Sequence, residues 1–201
     1  MSHELLPYTV KAHPVTGMYS GKLGTWLFLA SEVMLFGALF SSYILLRIAN
    51  PGVFDHHVTG LNVWIGLINT FVLIVSSVCM VLAWAKLHEN NLPACRAYLA
   101  WTLACAIFFL VVKFIFEYKY KWDHGTYPST NPFYACYFTM TGLHALHIVG
   151  GIVVIGYFLG PGSKLYHTNP EYYTNRIECT GLYWHFVDIV WIFLFPVLYL
   201  L

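Results

Sequence analysis

Residues 24–48 read GTWLFLASEVMLFGALFSSYILLRI, and the length and character of this run decide the fold. From Gly24 to Leu46 it carries a single charged residue, Glu32. A helix needs about 20 mostly apolar residues, at about 1.5 Å each, to cross about 30 Å of hydrocarbon. This run is long enough, and it stops at the helix-breaking Asn50-Pro51-Gly52. Four more stretches have the same character: Leu61 to Ala85, Ala94 to Phe116 behind Pro93, Phe133 to Leu159 behind Asn131-Pro132, and Ile177 to Leu201. Ten-residue alternating segments, the mark of a membrane β-barrel, are not visible. The expectation is an all-α polytopic membrane protein. A bundle of five transmembrane helices spans residues 23–201, behind a polar segment over residues 1–22.

Composition agrees. Hydrophobic residues make up 59% of the 201 positions and charged residues 9%, with a formal net charge of +1. Soluble domains carry roughly 25% charged residues. So few charges cannot cover a water-facing surface. They also exclude a disordered chain and a nucleic-acid-binding one, so no nucleic acid is expected as a partner. Residues 1–22 hold no apolar run before a cleavage site, which predicts insertion through the first span itself. The five cysteines are scattered and form no C-x-x-C pair, so they are read as small hydrophobes. With the N-terminus inside, the inner segments hold Lys11, Lys22, Lys86, Arg96, Lys164 and Arg176, against Arg47, Lys113, Lys119 and Lys121 outside. That excess favours N-in, C-out. Trp26, Trp64, Trp84, Trp101 and Trp122 suit interfacial belts.

Ionisable residues within a span are costly, so each is a candidate for function. Glu32 would lose its hydration and should be neutral or paired. It can glue two helices, carry a proton, or meet lipid or water. His144 and His147 lie three apart and share a face of helix four. Such a pair can ligate metal or haem, or simply make hydrogen bonds, and no E-x-x-H accompanies it. His185 and Asp188 repeat the spacing on helix five. Depth counted along the helices brings Glu32, His147 and Asp188 towards one buried polar cluster, with His144 and His185 nearby. Glu178 lies at the inner mouth of helix five, where a solvated capping role suits it. Lys113 and Glu117, near the outer end of helix three, read as a lysine that snorkels and pairs. Lys22 and Lys86 are inner-side candidates for holding lipid head groups. The small residues of helix four (Gly142, Ala145, Gly150, Gly151) suggest close approach by a helix of a large partner subunit.

These residues resemble subunit III of the haem–copper respiratory oxidases, over about Lys22 to Leu201. The likeness is carried by KLGTWLFLASEVMLFGALFSSY at 22–43, LINTFVLIVSS at 67–77, Glu117-Tyr118, TGLHALHIVGG at 141–151, and YWHFVDIVWIFLF at 183–195, which follows Glu178. Within that pattern Glu32 stands at the family's buried glutamate, and His144 and His147 fall in register. Longer members have seven helices. This chain lacks the first two and is similar to the short, five-helix bacterial form of cytochrome c oxidase subunit III.

The resemblance implies a bacterial inner (cytoplasmic) membrane, with the N-terminus cytoplasmic and the C-terminus periplasmic. It implies a non-catalytic subunit of a proton-translocating oxidase in aerobic electron transport, with no cofactor or metal of its own. Haem and copper would sit in partner subunits. Oxidase subunits I and II, other small membrane subunits and bound phospholipid would be its partners. The subunit would pack on subunit I, bind phospholipid, and support proton uptake and durability during turnover. Subunit III of a ubiquinol oxidase, or an accessory subunit of a nitric oxide reductase, is the alternative. Readings from other classes are a self-contained haem or metal enzyme using His144, His147 and His185, and a transporter. The transporter lacks the internal repeats it would be expected to show.

Overall fold

A computed structural model describes residues 19–50, 52–54 and 61–201. The expected polar segment at 1–22 therefore lies mostly outside the described residues. Five long helices carry the fold: α1 (Ser20–Ala49), α2 (Val63–His88), α3 (Leu92–Asp123), α4 (Pro132–Leu159) and α5 (Pro170–Tyr199). All five are long and apolar enough to cross a membrane. A 3₁₀ turn (Pro161–Ser163) and a short helix (Lys164–Thr168) join α4 to α5.

Asparagine starts four of the five helices. The side chains of Asn62, Asn91, Asn131 and Asn169 each accept a backbone N–H two or three residues on, satisfying a donor that the first turn leaves open. Proline follows in the first turn of α3, α4 and α5, where its missing N–H costs nothing. The α2–α3 turn closes through Asn90 at φ 56°, a left-handed conformation that asparagine tolerates.

Two boundaries differ from expectation. α5 begins at Pro170 rather than near Ile177, because the Asn169 cap carries the polar residues 171–176 into the helix. α3 continues past Phe116 to Asp123 through a π-helical segment, Lys113–Lys119, in which Lys113 and Glu117 answer each other.

α1, α3 and α5 run one way and α2 and α4 the other. The basal end carries the starts of α1, α3 and α5, and the distal end carries the start of α4. Polar rungs hold α5 to α2: Trp191 Nε1 donates to Thr70 Oγ1 and Trp184 Nε1 to Ser76 Oγ, both at 3.0 Å. Small residues of α4 serve packing within the chain. A Cβ on Gly151 would lie 2.5 Å from the Trp184 ring, and one on Gly150 3.3 Å from the Tyr183 hydroxyl. Ala145 is buried too, at 3% exposed. At Gly150 and Gly151 the helix in close approach is therefore α5 of the same chain rather than a helix of a partner subunit, and Gly142 faces Tyr118 of α3. α1 stands at the edge, with only Leu29, Phe36 and Tyr43 buried.

Candidate functional site

The candidate site lies where α1, α4 and α5 meet. Glu32 and His147 each sit twelve residues from the basal end of their helix, about 18 Å along it. Equal depth lets them bond across the α1–α4 contact: His147 Nε2 lies 2.9 Å from Glu32 Oε2. Both side chains are mostly buried, at 12% and 14% exposed. His147 Nδ1 lies 2.8 Å from the Leu143 carbonyl, which can only accept, so Nδ1 carries a proton. Nε2 then either accepts from the carboxylic acid of Glu32 or, as imidazolium, donates to its carboxylate. In both forms one proton lies between the two residues. Phe36 closes one side of the imidazole, with ring centroids 5.3 Å apart. Tyr183 on α5 donates to the His147 backbone carbonyl at 2.8 Å.

From this junction towards the basal end, α1, α4 and α5 diverge around a cleft of about 790 Å³. Phe28 and Thr25 line it from α1, Val153, Val154 and Tyr157 from α4, and Arg176 and Tyr183 from α5. Its walls are mostly hydrocarbon and aromatic, and Arg176 adds one cation. The guanidinium stands 4.9 Å over the Tyr172 ring. Lys22 and Glu178 form a partly exposed pair at 2.6 Å near the basal mouth. Glu178 is therefore an ion-pair partner rather than a solvated cap. Lys22 is engaged by Glu178, and Lys86 by Glu89 at 2.7 Å. Neither lysine lines the cleft. The cation that does is Arg176, which in sequence stands out only as an inner-side charge.

The expected five-residue cluster is divided. With α5 starting at Pro170, Asp188 is eighteen residues, about 27 Å, along its helix and well above the Glu32 level. It turns towards α2 and stands beside Ser77. Its two oxygens have no hydrogen bond of ordinary geometry among the described residues. His185 Nδ1 meets Ser77 Oγ at 2.5 Å. His144 meets α3 and α5 rather than Glu32. It stacks on Trp191 at 5.1 Å and meets Phe109 edge-on at 5.7 Å. Neither ring nitrogen has a polar partner among the described residues, where hydrogen bonding was expected. Among those residues no three His, Cys, Asp or Glu side chains converge as a metal site would need.

A second polar site keeps the expected Lys113–Glu117 pair and departs from expectation in where the lysine goes. Lys113 does not snorkel; it is fully buried, 0% exposed, at the distal end of the bundle. Its ammonium donates to Glu117 Oε2 at 2.5 Å, to Tyr199 OH at 2.6 Å and to Tyr137 OH at 3.1 Å. The signal available in sequence was the i, i+4 spacing. The burying tyrosines lie 24 and 86 residues further on.

Comparison with known proteins places these features in a family. The family model for cytochrome c oxidase subunit III matches residues 9–201. The cytochrome c oxidase subunit 3 of Alkalihalophilus pseudofirmus is 32% identical, over 94% of this chain and 92% of that protein. The cytochrome bo(3) ubiquinol oxidase subunit 3 of Buchnera aphidicola is 32% identical, over 92% of this chain and 94% of that one. A heme-copper oxidase subunit I+III of Aeropyrum pernix is 34% identical over 87% of this chain, which spans 22% of that longer protein.

Proposed function

The chain belongs to the cytochrome c oxidase subunit III family, and from that premise we propose that it is the non-redox subunit III of a terminal haem–copper oxidase in a bacterial inner membrane. The basal end faces the cytoplasm on this reading, which follows the bias of lysine and arginine across the spans. The chain packs on subunit I, beside subunit II and small membrane subunits. The Aeropyrum pernix relative, whose name joins I and III, supports that packing. Haem and copper belong to those partners.

One observation carries the reading: an apolar cleft that lies just basal of a buried, hydrogen-bonded Glu32–His147 pair. The cleft suits phospholipid acyl chains. Arg176 at its wall suits a phosphate, which a guanidinium can bind bidentately. Lipid there shields the Glu32–His147 junction from water, and the junction supports proton uptake and stability during turnover. A ubiquinol oxidase is the second reading, favoured by the equal identity of the Buchnera aphidicola relative. The same subunit chemistry serves either electron donor.

The test is native mass spectrometry of the purified complex, with the native chain and with Arg176→Ala. Phospholipid retained by the native complex and reduced in the variant is expected. A complex free of lipid, or equal retention by both, defeats the lipid assignment.

A further inference from the structure

The Lys113 site is not used by the function proposed above, and its geometry has a chemistry of its own. The Lys113 ammonium has three N–H bonds and three acceptors: Glu117, Tyr137 and Tyr199. Both phenols in turn donate to Glu117 Oε2, Tyr199 at 2.5 Å. In the ionised form every N–H and every phenolic O–H in the group has an acceptor. Aromatic faces complete the enclosure. The ammonium lies 4.9 Å from the Tyr137 ring centroid, 5.0 Å from that of Trp191, 5.2 Å from that of Tyr199 and 5.9 Å from that of Tyr118. Rings within about 6 Å attract a cation through their negative faces. The contributors come from α3, α4 and α5, and the α3 part is the π-helical segment Lys113–Lys119. Such segments recur at functional sites.

We propose that Glu117, Tyr137, Tyr199, Tyr118 and Trp191 form an ammonium-binding cage, with Lys113 as its tethered ligand. An ammonium in the cage holds the distal ends of α3, α4 and α5 together. Lipid supplies no hydrophobic drive between helices, so a polar contact that joins three of them fixes their register where apolar seams alone would let them slide. The ligand class is a primary alkylammonium, because three N–H donors and one positive charge match the three oxygen acceptors and the four rings.

Chemical rescue tests this. Lys113→Ala removes three methylenes and the amine, the size of propylammonium. Lys121, 4.8 Å over the Tyr137 ring, is changed to Gln in both arms so that it cannot substitute. The readout is the thermal midpoint for loss of the folded full-length chain in its native membranes. Lys113→Ala is expected to lower it by at least about 4 °C, the scale of a 1–2 kcal/mol loss in a chain of this size. Propylammonium should restore at least half of the shift, and propan-1-ol should not. Equal restoration by the alcohol would mean that the site only needs filling, and overturns the proposal, as does no restoration by the amine. Should Lys113→Ala fail to accumulate, Tyr199→Phe decides. The cage loses an acceptor and the midpoint falls, whereas an unchanged midpoint overturns the proposal.

Discussion

At the scale of single residues, Glu32 is the position where a small chemical change separates two roles. Glu32→Gln leaves an amide that can donate to His147 Nε2 while Nδ1 keeps its bond to Leu143, so the contact survives. Assembly and oxidase turnover of that variant are expected near native. Glu32→Ala leaves the imidazole with a buried nitrogen and no partner, a cost of about 1–3 kcal/mol. The expected outcome is looser retention of this subunit in the complex and shorter-lived activity. The assay is turnover together with subunit retention after detergent washing. Lost turnover in an intact Gln complex would show that Glu32 moves protons and is not merely a link between α1 and α4. His147 as the α4 partner was legible from depth counted along the helices, and Glu32 from its cost in lipid. The exclusion of Asp188 was not legible. It depends on where α5 begins, and the Asn169 cap moves that start two turns away from the apolar run.

Among the elements, α4 and α5 are held by close approach. Gly151 is the position that permits it, because Trp184 is fully buried and has no room to retreat. Gly151→Ala forces a methyl to within 2.5 Å of that ring. Overpacking of this kind costs about 1–3 kcal/mol, so a lower thermal midpoint of the full chain in membranes is expected. Gly156→Ala is the control. A Cβ there meets nothing within 4 Å, and alanine is the better helix former by about 0.5–1 kcal/mol. Its midpoint should match or exceed the native one. Equal losses in both variants would show that α4 is sensitive to any added methyl, and would remove the specific role of the Trp184 contact. Small residues on α4 were visible in the sequence as a close-packing face. Which helix they meet was not, since periodicity reports a face of one helix and says nothing about its neighbour.

For the whole molecule, α1 is the helix with least support from its own chain. Much of its surface is apolar and outward, including Leu27, Met34, Leu45 and Ile48. In lipid that surface is at home, and it is also free to meet partner helices. Purification in mild detergent is expected to bring the chain down together with a large haem-bearing subunit, visible as a Soret band that tracks it through gel filtration. Isolation as a haem-free species from membranes that contain the oxidase would contradict the assembly proposed above.

The sequence alone determined the number of spans, their approximate ends and the likeness to a family. These follow from local quantities: the length of an apolar run, a capping asparagine, a proline that breaks or starts a helix. Tertiary structure decided which polar groups meet. Lys113 shows why. On an isolated helix a lysine one turn from a glutamate would reach for water. Here Tyr137 and Tyr199, brought from α4 and α5, supply the acceptors that make full burial tolerable. The cost of a buried charge is set by all the groups around it, and those groups are neighbours in space long before they are neighbours in sequence.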